Sequence, residues 1–145
     1  MVVNMSMNVI GFTKKEVKYF EEIRNKIKCF SNDDEQWRIE LLEKLSDIQG
    51  YSTIKTAYMC AFANQFALYR AQNQNDKAEA LDKRLEETSI NEDMFCLMDL
   101  YNTINSDKCN KDSLKQALQI FSCKIYEISI KMGKVCDEFD ISVKF

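Results

Sequence analysis

Apolar residues recur along most of this chain at the three- and four-residue spacing of one helix face. Val17, Phe20, Ile23, Ile27 and Phe30 form a first stripe. Thr13 and Glu16 stand at capping-box spacing before it, and Phe12 and Val17 at hydrophobic-staple spacing. Asn32, Asp33, Asp34 and Glu35 announce a second helix, with acids where the helix dipole favours them. Its stripe is Trp37, Leu41, Leu45 and Ile48, and Gly50 predicts its end.

The third helix, about residues 53–71, differs from its neighbours. Ile54, Ala57, Tyr58, Ala61 and Leu68 share one face, Phe62, Phe66 and Tyr69 widen it, and Cys60, Ala63 and Ala67 fill the rest. A helix apolar nearly all round is buried on most sides, so this one is expected at the centre. Asn64 and Gln65 then need partners on a neighbouring helix, because an unpaired buried amide costs about 1–3 kcal/mol.

The polar run from Gln72 to Asn75 breaks the pattern. Ala78, Leu81 and Leu85 mark a fourth helix, started by Asn75 or Asp76. Ser89 and Glu92 form a second capping-box pattern, followed by the face Met94, Leu97, Met98, Tyr101 and Ile104. The last helix opens near Asp112 or Ser113 and carries Leu114, Ala117, Leu118, Phe121, Ile125, Ile128, Met132 and Val135; Gly133 predicts a stop or kink near its end.

Both ends of the chain change period. Val3, Met5, Met7 and Val9 alternate with polar residues, as do Phe139, Ile141, Val143 and Phe145. Two-residue alternation is the strand signal, so short terminal β-strands are expected, paired with each other or across a homodimer. The competing readings are frayed tails, or an N-terminal segment that prolongs the first helix. Residues 1–145 thus read as a single all-α domain. It is a compact bundle of five or six helices around a central one, with short strands at the termini.

Composition narrows the chemistry. The chain has 145 residues with no histidine, no proline and three glycines. Histidine-dependent nucleophile systems and His-ligated zinc or di-iron sites are therefore excluded. Adjacent acids such as Glu86–Glu87 and Asp137–Glu138 fall at helix ends, where dipole and solvent account for them. No enzyme, cofactor or metal is expected. The six cysteines are widely spaced with no Cys-x-x-Cys, and residues 1–11 lack the early positive charge and long apolar run of a signal peptide. Reduced core thiols in a cytoplasmic protein are the expectation, in the host cytoplasm if the protein is viral. No apolar run is long enough for a membrane span.

A net charge of −3 with mixed signs does not favour nucleic acid. The wealth of Phe, Tyr, Met, Ile, Asn and Lys reflects an AT-rich genome. The expected role is non-enzymatic binding to a protein partner or to a second copy, as an accessory or inhibitory protein of a phage, a virus or a low-GC bacterium. Candidate contact residues are Phe95 and Leu100, off the main stripe of their helix, with Phe139, Ile141, Val143 and Phe145. The alternative is a nucleic-acid-associated subunit gripping phosphates through Lys14, Lys18, Lys28, Lys124 and Lys131 of the first and last helices.

Overall fold

The computed structural model describes the backbone of residues 2–30 and 32–145, and the side chains of residues 14–30 and 32–145. Five helices follow one another in this part of the chain: α1 (Val2–Phe30), α2 (Glu35–Ala71), α3 (Asn75–Glu87), α4 (Ile90–Ile104) and α5 (Lys111–Glu138). No strand occurs among the described residues. The fold is an all-α helical bundle.

The second and third expected helices are one. α2 runs for 37 residues straight through Gly50, whose absent Cβ would meet nothing within 4 Å. Its buried line is Trp37, Leu41, Leu45, Ile48, Ser52, Lys55, Phe62, Phe66 and Tyr69. Partly buried Tyr58 and Met59 bridge the step from Lys55 to Phe62, and because Ser52 and Lys55 are polar the apolar stripe ends at Ile48. The line also rotates the second half of α2 relative to the expected face. Leu68 is 48 % exposed and Asn64 lies in solvent, where it needs no interhelical partner.

Three contacts set the direction of α2 against α5. Asp34 meets Lys111, the Tyr51 and Tyr126 rings stand edge to face at 5.4 Å, and the Tyr58 hydroxyl lies 3.1 Å from where a Cβ on Gly133 would be. The sequence offset stays near constant, so the two helices run parallel as a central pair. Gly133 neither ends nor kinks α5; its bare backbone admits the Tyr58 ring. α1 folds back antiparallel on α2, and α4 runs antiparallel along α5, where Asp93 meets Lys124 and Lys131. The short α3 makes the turn between α2 and α4, tied to the end of α5 by a two-pronged Arg84–Glu138 pair at 2.7 and 2.9 Å.

Tyr101 of α4 is the aromatic centre. Its ring stacks on Tyr19 at 4.8 Å and meets Phe20 and Phe121 edge-on at 5.7 and 4.8 Å, so α1, α4 and α5 converge there. Every residue of the last stripe, Leu114 to Val135, is buried, as are Ala78, Leu81 and Leu85 of α3. In α1, Phe20, Ile23 and Ile27 are buried, but Val17 is 59 % exposed and Glu16 occupies the inward position in its place.

The helix ends need neither glycine nor proline. At the end of α2, the Gln74 N–H reaches the Tyr69 carbonyl and the Asn73 N–H that of Arg70, with Asn73 left-handed at φ 57°. At the end of α5, the Ile141 and Asp140 N–H groups reach the Cys136 and Asp137 carbonyls, with Asp140 at φ 52°. Both are Schellman motifs, and the buried Ile141–Cys136 pair supplies the hydrophobic contact that accompanies the second. Asp34 caps α2 by accepting from the Trp37 N–H, and Asn110 with Ser113 forms a capping box on α5. The expected box at Ser89 does not form, because Ser89 is itself left-handed at φ 59° and its side chain makes no cap bond.

The terminal strands are corrected in the same terms. α1 runs unbroken through residues 2–13, so the helix does not start at Thr13 and no capping box or staple forms there; the side chains of Val3, Met5, Met7 and Val9 lie outside the described residues. Residues 141–145 carry no strand; Phe139 and Val143 pack on the core, Ile141 is buried, and Phe145 meets Tyr58 edge-on at 5.4 Å. The alternation of this tail records a segment with one side on the bundle, which needs no strand partner. The thiols also differ from expectation: none of the six is in a disulfide, but only Cys109 and Cys136 are buried.

Two expectations about stability follow. Gly50→Ala removes the entropic penalty of glycine inside an exposed helix and should stabilise by about 1 kcal/mol, whereas Gly133→Ala should gain less or lose stability because Tyr58 must shift; denaturant midpoints of both variants check this. Phe62→Ala should cost about 3–5 kcal/mol, and Leu68→Ala, at a half-exposed site, well under half as much in the same titration.

Candidate functional site

Two features of the surface and core stand apart from ordinary packing, and both involve α2. The first is a charged group buried between α1 and α2. Glu16 is 3 % exposed and Lys55 fully buried. One Glu16 carboxylate oxygen accepts from the Lys55 ammonium and the other from the Ser52 hydroxyl. Burial dominates the titration of both partners. It lifts the Glu16 carboxyl above its ordinary range and lowers the Lys55 ammonium below its own, with their mutual attraction opposing each shift. Burial also pushes the nearby Tyr101 phenol well up, with the charges of Glu16 and Tyr19 adding to the effect.

A serine three residues ahead of a lysine on one helix is a spacing that acyl-transfer enzymes use, with the lysine acting on the serine. Here both side chains turn to Glu16 instead. Their geometry gives a neutralised carboxylate with two donors. Beside it a groove of about 440 Å³ opens between α1 and α2, running from Glu16 and Thr56 to Arg24 and Gln49, whose side chains bond at 3.0 Å. Sequence reasoning assigned Glu16 to a helix cap and gave Ser52 and Lys55 no pairing with it. The readable signal was their place on the core line of α2.

The second feature is an apolar ridge along the outer seam of α2 and α5. Tyr51 packs on Tyr126, Tyr58 on Phe145, and Ile130 follows Tyr126 by one turn. Tyr126 is 49 %, Ile130 44 % and Phe145 80 % exposed.

The expected contact residues divide. Phe145 joins the ridge. Phe95 is 72 % exposed on α4, but it lies two residues from Asp93, which faces α5, and so points about 200° round the helix from that side. Leu100, Phe139 and Val143 pack against the core and Ile141 is buried, so these four present little surface. The expected phosphate-binding lysines also divide. Lys14, Lys18 and Lys28 are exposed on α1, while Lys124 and Lys131 hold Asp93 at 3.4 and 2.7 Å and serve to clamp α5 to α4. Lys26 donates to the Ile104 and Ser106 carbonyls at 2.6 and 2.7 Å and so caps the end of α4.

Among the described residues no helix is long and apolar enough to cross a membrane, and no three metal-ligating side chains converge. No protein-family model matches this chain, and searches of curated proteins and of solved structures return no similar chain.

The buried pair generates a thermodynamic expectation. Glu16→Gln removes the carboxylate that faces the buried Lys55 ammonium and should cost about 3–5 kcal/mol, whereas the double replacement Glu16→Leu, Lys55→Met should be neutral or stabilising. The sign with pH also follows. The folded chain keeps the Glu16 proton to higher pH than the unfolded chain, so this site's contribution falls as pH rises from the ordinary carboxylate range through the raised value. Denaturant titrations at several pH values should find that decline in the parent protein and not in the double variant.

Proposed function

We propose that this chain is a non-enzymatic protein-interaction module that engages its partner through the α2–α5 ridge. The observation that carries this reading is the run of apolar side chains on one seam: half-exposed Tyr126 and Ile130 and exposed Phe145, backed by the partly buried Tyr51 and Tyr58. Isolated exposed apolar residues are ordinary, whereas a contiguous group of them marks a contact site. Tyrosines suit such a site because a large flat ring buries much area while losing few rotamers. The partner is another protein or a second copy of this chain. The setting proposed is cytoplasmic, as an accessory or inhibitory protein of a phage, a virus or a low-GC bacterium, and it rests on composition. The phosphate-binding alternative loses support, since two of its five lysines are engaged with Asp93.

The test is sedimentation of the pure protein combined with cross-linking and affinity purification from the native source. Tyr126→Lys with Ile130→Glu should abolish a stoichiometric complex or a dimer while leaving the melting temperature within a few degrees. Phe95→Glu, on the other side of α4, should leave that complex intact. A complex that survives the ridge substitutions would overturn the assignment.

A further inference from the structure

The wall of the α1–α2 groove has an unusual hydrogen-bonding character. Each hydroxyl on it has its single proton engaged elsewhere: Ser52 donates to Glu16, Thr53 to the Gln49 carbonyl at 3.0 Å, and Thr56 to the Ser52 carbonyl at 3.0 Å. A hydroxyl has one proton and two lone pairs, so all three can offer the groove only acceptors. The Glu16 carboxylate has lone pairs beyond those used by Lys55 and Ser52, and Glu21 adds a second carboxylate. Lys55 lies behind Glu16 and does not line the groove; donors are confined to the Arg24 and Gln49 end. Val17, 59 % exposed, and Phe20 supply an apolar flank.

We infer that this groove binds an organic ammonium group, with its N–H donors on the Glu16, Ser52 and Thr56 acceptors and its hydrocarbon chain along Val17 and Phe20. A carboxylate or phosphate ligand meets the wrong partners at that end, because lone pairs would face lone pairs. A neutral alcohol can satisfy one acceptor and an ammonium three, with charge assistance from Glu21, since Lys55 already neutralises Glu16. The volume of about 440 Å³ is in the range of small-molecule sites. The ammonium can belong to a free alkylamine or to the lysine side chain of a polypeptide.

The experiment is a titration of the intact protein followed by backbone amide NMR shifts at constant ionic strength. The probes are butylammonium chloride, butan-1-ol and sodium butanoate. Butylammonium should give saturable shifts at residues 16–24 and 49–56 and bind about tenfold tighter than the alcohol. Glu21→Gln and Thr56→Val should each weaken it about three- to tenfold with the melting temperature unchanged. These variants avoid Glu16, whose loss threatens the fold. Nα-acetyl-lysine methylamide distinguishes the sources: tighter binding than butylammonium identifies a lysine side chain, weaker binding a free amine. Absence of saturable shifts, equal affinity for alcohol and ammonium, preference for butanoate, or indifference to both substitutions would each overturn the assignment.

Discussion

The pairing of Glu16 with Lys55 fixes how α1 lies on α2, and much of the bundle is arranged around that choice. Removing two charges from water costs several kcal/mol each, and their attraction returns it only when they meet with good geometry and further hydrogen bonds. Ser52 supplies one such bond, on the same inward line of α2. A slip of α1 by one turn would set Glu16 against apolar side chains and take its carboxylate from the buried Lys55 ammonium. Apolar faces such as Phe20–Ile23–Ile27 tolerate more than one register, because dispersion and burial are not directional. The ion pair discriminates where the hydrophobic contacts do not. Its worth lies in the alternatives it excludes more than in any stability it adds.

The register set there carries through the core. With Glu16 facing Lys55, Tyr19 and Phe20 reach Tyr101, and Tyr101 reaches Phe121 on α5. The parallel α2–α5 pair then carries α1 on α2 and α4 on α5, and α1 and α4 meet each other at Tyr19 and Tyr101. Lys26 adds a second tie at the far end of α1, with a cation on the carbonyls that close α4, where the helix dipole favours positive charge. Asp93 plays the matching part on the other flank, drawing Lys124 and Lys131 across from α5. These polar ties sit at the margins of apolar contacts, where they orient helices that burial alone would leave free to slide.

Apolar periodicity made most of the helical positions legible, since Trp37 to Ile48, Ala78 to Leu85 and Leu114 to Val135 point inward as their spacing requires. It failed where a core position holds a polar residue. Ser52 and Lys55 continue the inward line of α2, but a pattern read by hydrophobicity stops before them, and Gly50 made the stop look complete. Val17 and Glu16 were exchanged for the same reason: a carboxylate counts as outward until its partner is known, and that partner lies 39 residues away. The terminal alternation misled differently. A segment lying along a bundle buries every second side chain as a strand does, so Ile141 and Val143 carry the same signature without a ladder. The ridge and the groove could not be read at all, because each is assembled from helices whose relative rotation the sequence leaves open.

α2 serves both surfaces, and helix geometry keeps them apart. Tyr51 and Tyr58 are seven residues apart and share the side that faces α5. Thr53 and Thr56 are turned from them by about 140–200° and line the groove against α1. An occupant of the groove therefore meets acceptors and the α1 flank, while an occupant of the seam meets rings and aliphatic side chains, with the width of α2 between them. Groups on opposite sides of a packed helix that share no partner contribute to stability nearly additively. The one residue set that borders both is the core line through Ser52 and Lys55, and it is held by Glu16. Disturbing that carboxylate would loosen the helix beneath both surfaces, whereas substitutions at Tyr126 or Thr56 act on one alone.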